Sequence, residues 1–339
     1  MDKREQRPDL RDLSEPGKRS ARDRWILAAR TFVTLALLGS LLWVIDLSAS
    51  IQAARQVRVP WFVLAICASA LGVLVSVLKW ERLVRDLRLG VSRLALVRLY
   101  LVGLFASSLL PGMVGGDVVR WQGMARRSGR SIDSAATIVA ERAIGVMALV
   151  LCAAAAVAID SRLATPPVLL LVAGMALAVT AGLSLALNRR LATSAMLRLR
   201  HTVLRRVLLP LYRLHKALRR FRRGPLVATF GFGVLFYFTT SLTFFLVLRS
   251  FGVELGYGHA FAIQVLTNLL TLLPISIGGL GLLQAGDVYL LSLFGVDAHT
   301  AFALSIARQM IHYGWGFVGG SLLFEPGRRR GREREKPSI

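Results

Sequence analysis

The chain is poor in three things. Its 339 residues include only 2 cysteines, Cys67 and Cys152, and both stand inside apolar runs. Two thiols cannot write a disulfide framework or a zinc spacing, so they read as small core residues. Acid is scarce, with 19 Asp and Glu against 43 Lys and Arg and a formal net charge of +24. Local catalytic signatures are missing as well: there is no G-x-x-x-x-G-K-[ST], no G-x-S-x-G, no H-E-x-x-H and no dinucleotide fingerprint. No cofactor or metal is expected, and without an ATP site any transport would be passive or ion-coupled.

Apolar sequence is abundant. Hydrophobic residues make up 55% of the chain and the mean hydropathy is +0.57. Apolar runs at 31–47, 60–78, 137–159, 166–187, 226–248 and 299–324 each approach the roughly 20 residues that a bilayer requires. They do not alternate as barrel strands would. Trp25 with Trp43, and Trp61 with Trp80, bracket the first two runs at about 27 to 28 Å of helix, close to the hydrocarbon thickness. The expected fold class is all-α, a polytopic helical membrane protein of about six to eight transmembrane segments. Ser48-Ala49-Ser50 imitates a signal-peptide cleavage site, but the apolar core before it is too long and another run follows at once, so the expectation is an anchor that stays.

The positive charge is confined to juxtamembrane positions, which argues against nucleic acid as partner. Lys79, Arg82, Arg85, Arg88 and Arg93 follow the second run, twelve basic residues and no acid fill 189–223, and Arg328, Arg329, Arg330, Arg332, Arg334 and Lys336 close the chain. By the positive-inside rule these regions and both termini are cytoplasmic, in a cell membrane. Residues 1–24 mix eight basic with six acidic residues and are expected to be a disordered cytoplasmic tail. The membrane domain then spans 25–325, and 326–339 form a basic tail. Within 194–222, Leu204, Val207, Leu208, Leu211, Leu214, Leu218 and Phe221 recur at helical spacing among arginines and lysines. That pattern describes a basic amphipathic helix on the inner leaflet, serving either to hold topology or to recognise anionic lipid.

One pattern occurs twice. Ser108 to Gly116 and Thr271 to Gly279 both read [ST]-L-L-P-x-x-x-G-G. Proline removes a backbone donor and glycine relaxes the chain, so helix breaks are expected at Pro111, Gly112, Gly115 and Gly116, and again at Pro274, Gly278, Gly279 and Gly281. Broken segments paired between two halves mark the binding site in transporters. The first copy is flanked by basic residues on both sides, Arg93 and Arg98 before it and Arg120, Arg126, Arg127 and Arg130 after it. A re-entrant hairpin from the cytoplasm would keep both flanks inside. The second copy follows a sparsely charged loop and would enter from outside, giving a possible inverted repeat. Eight plain crossings is the alternative.

Ionisable groups inside apolar helices need partners. Glu141 falls one to two turns into its run and is matched with Arg120. Adjacent helical residues face different neighbours, so Arg142 is matched with Asp117. These pairs either brace the first hairpin or bind an anionic substrate, for which the planar arginine fork is suited. The second half supplies Asn268, Gln284, Asp287, Arg308, Gln309 and His312. Arg308 requires an anion, His312 alone means little, and Gly314, Gly316, Gly319 and Gly320 suit close helix packing.

At these residues the chain resembles the flippase-like membrane family named after the transmembrane region of lysylphosphatidylglycerol synthase. The likeness lies in LLPGMVGGDVVRW (Leu109 to Trp121), Ala140-Glu141-Arg142, TNLLTLLPISIGGLG (Thr267 to Gly281), the Leu-Phe-Gly-Val at 293–296 and Ala307-Arg308. The resemblance covers roughly residues 25–325 and implies a membrane protein that moves aminoacylated or lipid-linked substrates between leaflets. Gln284 departs from the pattern, since the family usually has a Glu there, often after an Arg that is Leu283 here. The synthase's transferase domain has no counterpart, so lysyl transfer by this chain alone is not expected.

The reading is therefore a lipid flippase acting on an anionic phospholipid or lipid-linked headgroup, with Asp117, Arg120, Glu141, Arg142, Asn268, Gln284 and Arg308 as candidate binding residues. Its rivals are a membrane scaffold for a partner transferase and a small-solute transporter. Oligomeric state is left open.

Overall fold

The computed structural model describes residues 47–109, 114–187, 209, 212–273 and 279–323. Among these no strand occurs, and the elements are α1 (Leu47–Arg55), α2 (Val59–Asp86), α3 (Arg93–Leu109), α4 (Val114–Ser128), α5 (Ser131–Ile159), α6 (Pro166–Leu187), α7 (Arg223–Ser250), α8 (Tyr257–Thr271), α9 (Leu282–Ser292) and α10 (Ala298–Ser321). Four of them, α2, α5, α6 and α7, are long and apolar enough to cross a membrane. The chain is a multi-pass helical membrane protein.

Start signals are local. Pro60 opens α2, where its missing N–H costs nothing, and the Asp297 carboxylate caps α10 by accepting from Thr300 N at 2.8 Å. Two helices outrun their apolar cores. The second continues to Asp86, so Lys79, Arg82 and Arg85 lie on the helix and not in the loop expected from the charge run. The fifth starts at Ser131, six residues before its apolar run. Glu141 is therefore ten residues in, about 15 Å along the axis, deeper than the one to two turns expected.

Hydrogen bonds across loops show which helix ends share a face. At one end Arg130 Nη1 donates to Leu87 O at 2.9 Å, Arg220 pairs with Asp133 at 3.0 Å, and Arg222 N donates to Asp86 Oδ2 at 2.9 Å. At the other, Arg58 N donates to Ser250 O at 2.8 Å, Arg162 meets His259 at 3.0 Å and Tyr289 Oη meets Thr165 Oγ1 at 3.1 Å. The antiparallel pair α3–α4 has its open end at the first face, and α8–α9 has its open end at the second.

Helix contacts repeat between halves. The α2 helix packs on α7, α5 reaches across to α8 as α10 reaches across to α3, and each hairpin lies against the long helix that follows it. In these contacts α2–α5, the first half, corresponds to α7–α10, the second. The largest apolar cluster joins both units through residues such as Ala148, Leu149, Phe244, Ile263, Leu266 and Leu304. A second, around Trp80, Leu83, Leu96 and Met124, lies at the first face. Leu214 and Leu218, on a helical stretch at 212–218, pack against it; the rest of the amphipathic segment, 188–208 with 210–211, lies outside the described residues, as do both tails and the run at 31–46.

Small residues let the units close. A Cβ on Gly319 would stand 1.9 Å from Leu101 O, and one on Gly116 would stand 2.3 Å from Gly103 O. Gly316 and Gly320 face Ser108 and Phe105, whereas Gly314, grouped with them by sequence, meets nothing within 4 Å.

The two breaks differ from expectation in extent. Gly115 and Gly116 belong to the first turn of α4 and so are helical, not broken as expected; Pro111 and Gly112 lie outside the described residues. In the second copy Gly279 and Gly281 adopt φ of 77° and 78°, a region that only glycine enters cheaply. Pro274 and Gly278 lie outside the described residues.

Candidate functional site

Each half holds an ionic cluster where its hairpin meets the following long helix. In the first, Glu141 of α5 is buried and accepts from Arg120 Nη2 of α4, with Lys79 Nζ of α2 at 3.3 Å. Asp117 accepts from Arg120 Nη1 at 3.2 Å and holds Arg142 through two bonds, Nε at 2.7 Å and Nη2 at 3.0 Å. The structure thus brings together Arg120 with Glu141 and Arg142 with Asp117, the two pairs read from sequence. It adds Lys79, which the charge run had assigned to topology. Three cations face two carboxylates, leaving one positive charge in excess.

The second cluster is electrically balanced. Asp287 of α9 is fully buried and accepts from Arg308 Nη2 of α10 and from Thr267 Oγ1 at 2.9 Å. Arg308 Nη1 donates to Gln264 Oε1, and Gln264 Nε2 donates to Asn268 Oδ1 at 3.3 Å. The anion that Arg308 requires is therefore Asp287, one helical turn beyond Gln284. Gln284 itself is buried and its Oε1 accepts from Gly281 N at 2.8 Å, tying down the first turn of α9. Its lost carboxylate leaves no gap in the charge pairing.

The clusters are register-matched with reversed sign. Glu141 is ten residues beyond the first residue of α5, and Arg308 is ten beyond the first residue of α10. At that matched position the long helix carries an anion, Glu141, in one half and a cation, Arg308, in the other, with Arg142 beside Glu141 on α5. Both arginines lie over an aromatic ring, Arg120 at 4.2 Å from the Trp80 centroid and Arg308 at 4.7 Å from that of Phe244. Those rings also match, each twenty-one residues beyond the first residue of its helix, α2 or α7. Such contacts favour a desolvated guanidinium by about 0.5 to 2 kcal/mol.

Between the clusters lies a cavity of about 380 Å³, within the range of small-ligand sites. Side chains from both halves line it, among them Ser69, Tyr100, Arg142, Thr240, Asn268, Arg308, Gln309, His312 and Trp315. The Arg142 side chain is 50% exposed. Of the residues singled out by sequence, Arg142, Asn268, Arg308, Gln309 and His312 line the cavity, whereas Asp117, Arg120, Glu141, Gln284 and Asp287 are not on its wall. Thr240, Gln264 and Tyr100 carried no sequence signal, being ordinary polar residues in apolar runs. Among the described residues no group of three or more His, Cys, Asp or Glu could hold a metal ion.

At the second face a further clasp joins the α5–α6 connection, the first turn of α8 and the segment after α9. Arg162 bonds to Asp160 at 3.0 Å and lies 4.6 Å from the Phe294 centroid, and His259 lies 3.4 Å from Asp160. Bonding from Arg162 holds the Asp160 carboxyl below its ordinary range.

The sequence was compared with known families and curated proteins. The model of a family described as the lysylphosphatidylglycerol synthase TM region matches residues 28–320. No curated protein matches the chain.

Proposed function

The chain belongs to the lysylphosphatidylglycerol synthase transmembrane-region family, a membrane-domain family tied to lipid metabolism, and on that footing we propose that it moves an anionic lipid headgroup between leaflets. The observation that carries this reading is the cavity between the halves, with the half-exposed Arg142 guanidinium on its wall. A headgroup crossing hydrocarbon must exchange its water for protein groups. Hydroxyls, amides and an arginine supplied by both halves are such groups, and acyl chains can remain in lipid while the head passes.

In this reading α3–α4 and α8–α9 are re-entrant hairpins entering from opposite faces, the first from the cytoplasm, and the protein sits in the cell membrane with both termini inside. Charge supports the orientation: Arg82, Arg85, Arg88, Arg93, Arg126, Arg127 and Arg130 gather at the end where α3–α4 opens, as the positive-inside rule requires.

Reconstitution of the purified protein in liposomes with fluorescent phosphatidylglycerol tests the proposal, with bleaching of the outer leaflet as readout. Wild type accelerates the exposure of inner-leaflet lipid, and Arg142→Ala, at a half-exposed position, lowers that rate while staying folded. An unchanged rate in a folded Arg142→Ala protein would remove the cavity from the transport path.

A further inference from the structure

We infer that the cavity selects an anionic headgroup bearing hydroxyls and rejects one bearing an ammonium. This deepens the transport reading and rests on it.

The argument begins with the acids. Among the described residues no Asp or Glu lines the cavity. The sequences at 110–113 and 274–278, Leu-Pro-Gly-Met and Pro-Ile-Ser-Ile-Gly, contain none either. The carboxylates behind the wall are consumed. Asp117 spends one oxygen on Arg142 and the other on Arg142 and Arg120 together. Glu141 divides its oxygens between Lys79 and Arg120, and Asp287 divides its own between Thr267 and Arg308. An ammonium entering this space would find no free anion, and would meet Arg142 and Arg308 as like charges.

The cations are arranged the other way. Asp117 grips Arg142 by Nε and Nη2, which leaves Nη1 without a partner among the described residues. The guanidinium is thus aimed and held, with one donor end available to a phosphodiester oxygen. The first cluster's excess of one positive charge matches a single phosphodiester. Farther along the wall, Gln309 and His312 make no hydrogen bond among the described residues, and Asn268 uses only its Oδ1 for Gln264. An amide N–H, an amide oxygen and an imidazole serve hydroxyls, which both donate and accept. Phosphate at one end and polyol or sugar hydroxyls at the other is the headgroup chemistry that satisfies both walls.

The test uses the full chain in liposomes carrying one fluorescent probe at a time: phosphatidylglycerol, lysylphosphatidylglycerol, phosphatidylethanolamine or phosphatidylcholine. Phosphatidylglycerol should move faster than each ammonium-bearing lipid by about tenfold or more, the scale on which like-charge contact discriminates partners. Arg142→Gln should shrink that ratio. Gln309→Glu, which places a free carboxylate on the wall, should raise movement of the ammonium lipids while phosphatidylglycerol slows. This gain of function cannot arise from misfolding. Equal or faster movement of the ammonium lipids by wild type would overturn the selectivity and leave the transport reading standing. No movement of any probe would overturn both. Labelled glycerol 3-phosphate separates lipid from soluble ester: its uptake without lipid movement would make this a small-solute site and sink the inference.

Discussion

Replacing Asp287 by Asn removes one charge from a deeply buried ion pair. Arg308 would keep Gln264 and the Phe244 ring but lose its only anion among the described residues, in a site where the partner carboxylate has no exposure to solvent. Breaking a buried pair on one side costs about 3 to 5 kcal/mol, because the remaining charge stays desolvated. At about 2 to 4 °C in Tm for each kcal/mol, the scale for domains of about 150 to 250 residues, thermal unfolding in detergent should fall by roughly 6 to 20 °C. Removing both charges is different. Asp287→Leu with Arg308→Met eliminates the stranded ion, yet Gln264 Oε1 loses its donor, a penalty of about 1 to 3 kcal/mol. Adding Gln264→Leu removes that too, while the Thr267 hydroxyl, which loses Asp287 as its acceptor, can turn to a carbonyl of its own helix, so the triple variant should unfold within a few degrees of wild type. Thermal shift followed through tryptophan emission distinguishes the cases. A single variant as stable as wild type, or a triple variant as crippled as the single, would refute the assignment of Asp287 and Arg308 as a mutually dependent buried pair.

Packing, topology and pH give three further expectations. Gly319→Ala places a Cβ 1.9 Å from Leu101 O and should lower stability by about 1 to 3 kcal/mol or more; Gly314→Ala, with open space around it, should be neutral in the same thermal assay. In a background lacking Cys67 and Cys152, a cysteine at Ala125 should resist an impermeant thiol reagent added outside whole cells while one at Ser161 reacts. Labelling at 125 from outside would replace the first hairpin by a crossing. The Asp160 carboxyl is held low by Arg162, so its contribution to the clasp is complete above the ordinary carboxylate pKa and disappears only as pH falls through the lowered value. Labelling of the Ser161 cysteine should therefore stay flat from neutral pH to about pH 5 and rise in stronger acid, read after correction for reagent reactivity.

Much of the first half was legible in sequence because its ionisable residues are few and sit in apolar surroundings. Glu141 needed a cation, Arg142 could not share it, and the two candidates left were Arg120 and Asp117. Lys79 was hidden because it stands at the edge of an apolar run, where a basic residue ordinarily sets topology; only the continuation of α2 to Asp86 buries it. The second half was harder for another reason. The repeat draws the eye to Gln284 at the position of a familiar carboxylate, whereas Asp287 lies three residues on, outside any motif. Its meeting with Arg308 depends on α9 packing against α10, a fact of tertiary structure. The cavity as a whole could not be read, since around Arg142 and Arg308 its wall is assembled from Ser, Thr, Tyr and amide side chains drawn from five helices, most of them ordinary in their own segments.

The reversed polarity of the matched ion pairs bears on energy degeneracy. Two halves with the same charges at equivalent positions would have end states that are mirror partners, and exchanging their conformations would leave the energy unchanged. Here the long helix carries Glu141 in one half and Arg308 in the other, so the exchange does not map the molecule onto itself. On the proposed transport reading, inward-open and outward-open forms of such a molecule would differ in energy before any lipid, gradient or potential acts on them, and the protein would have a built-in resting side.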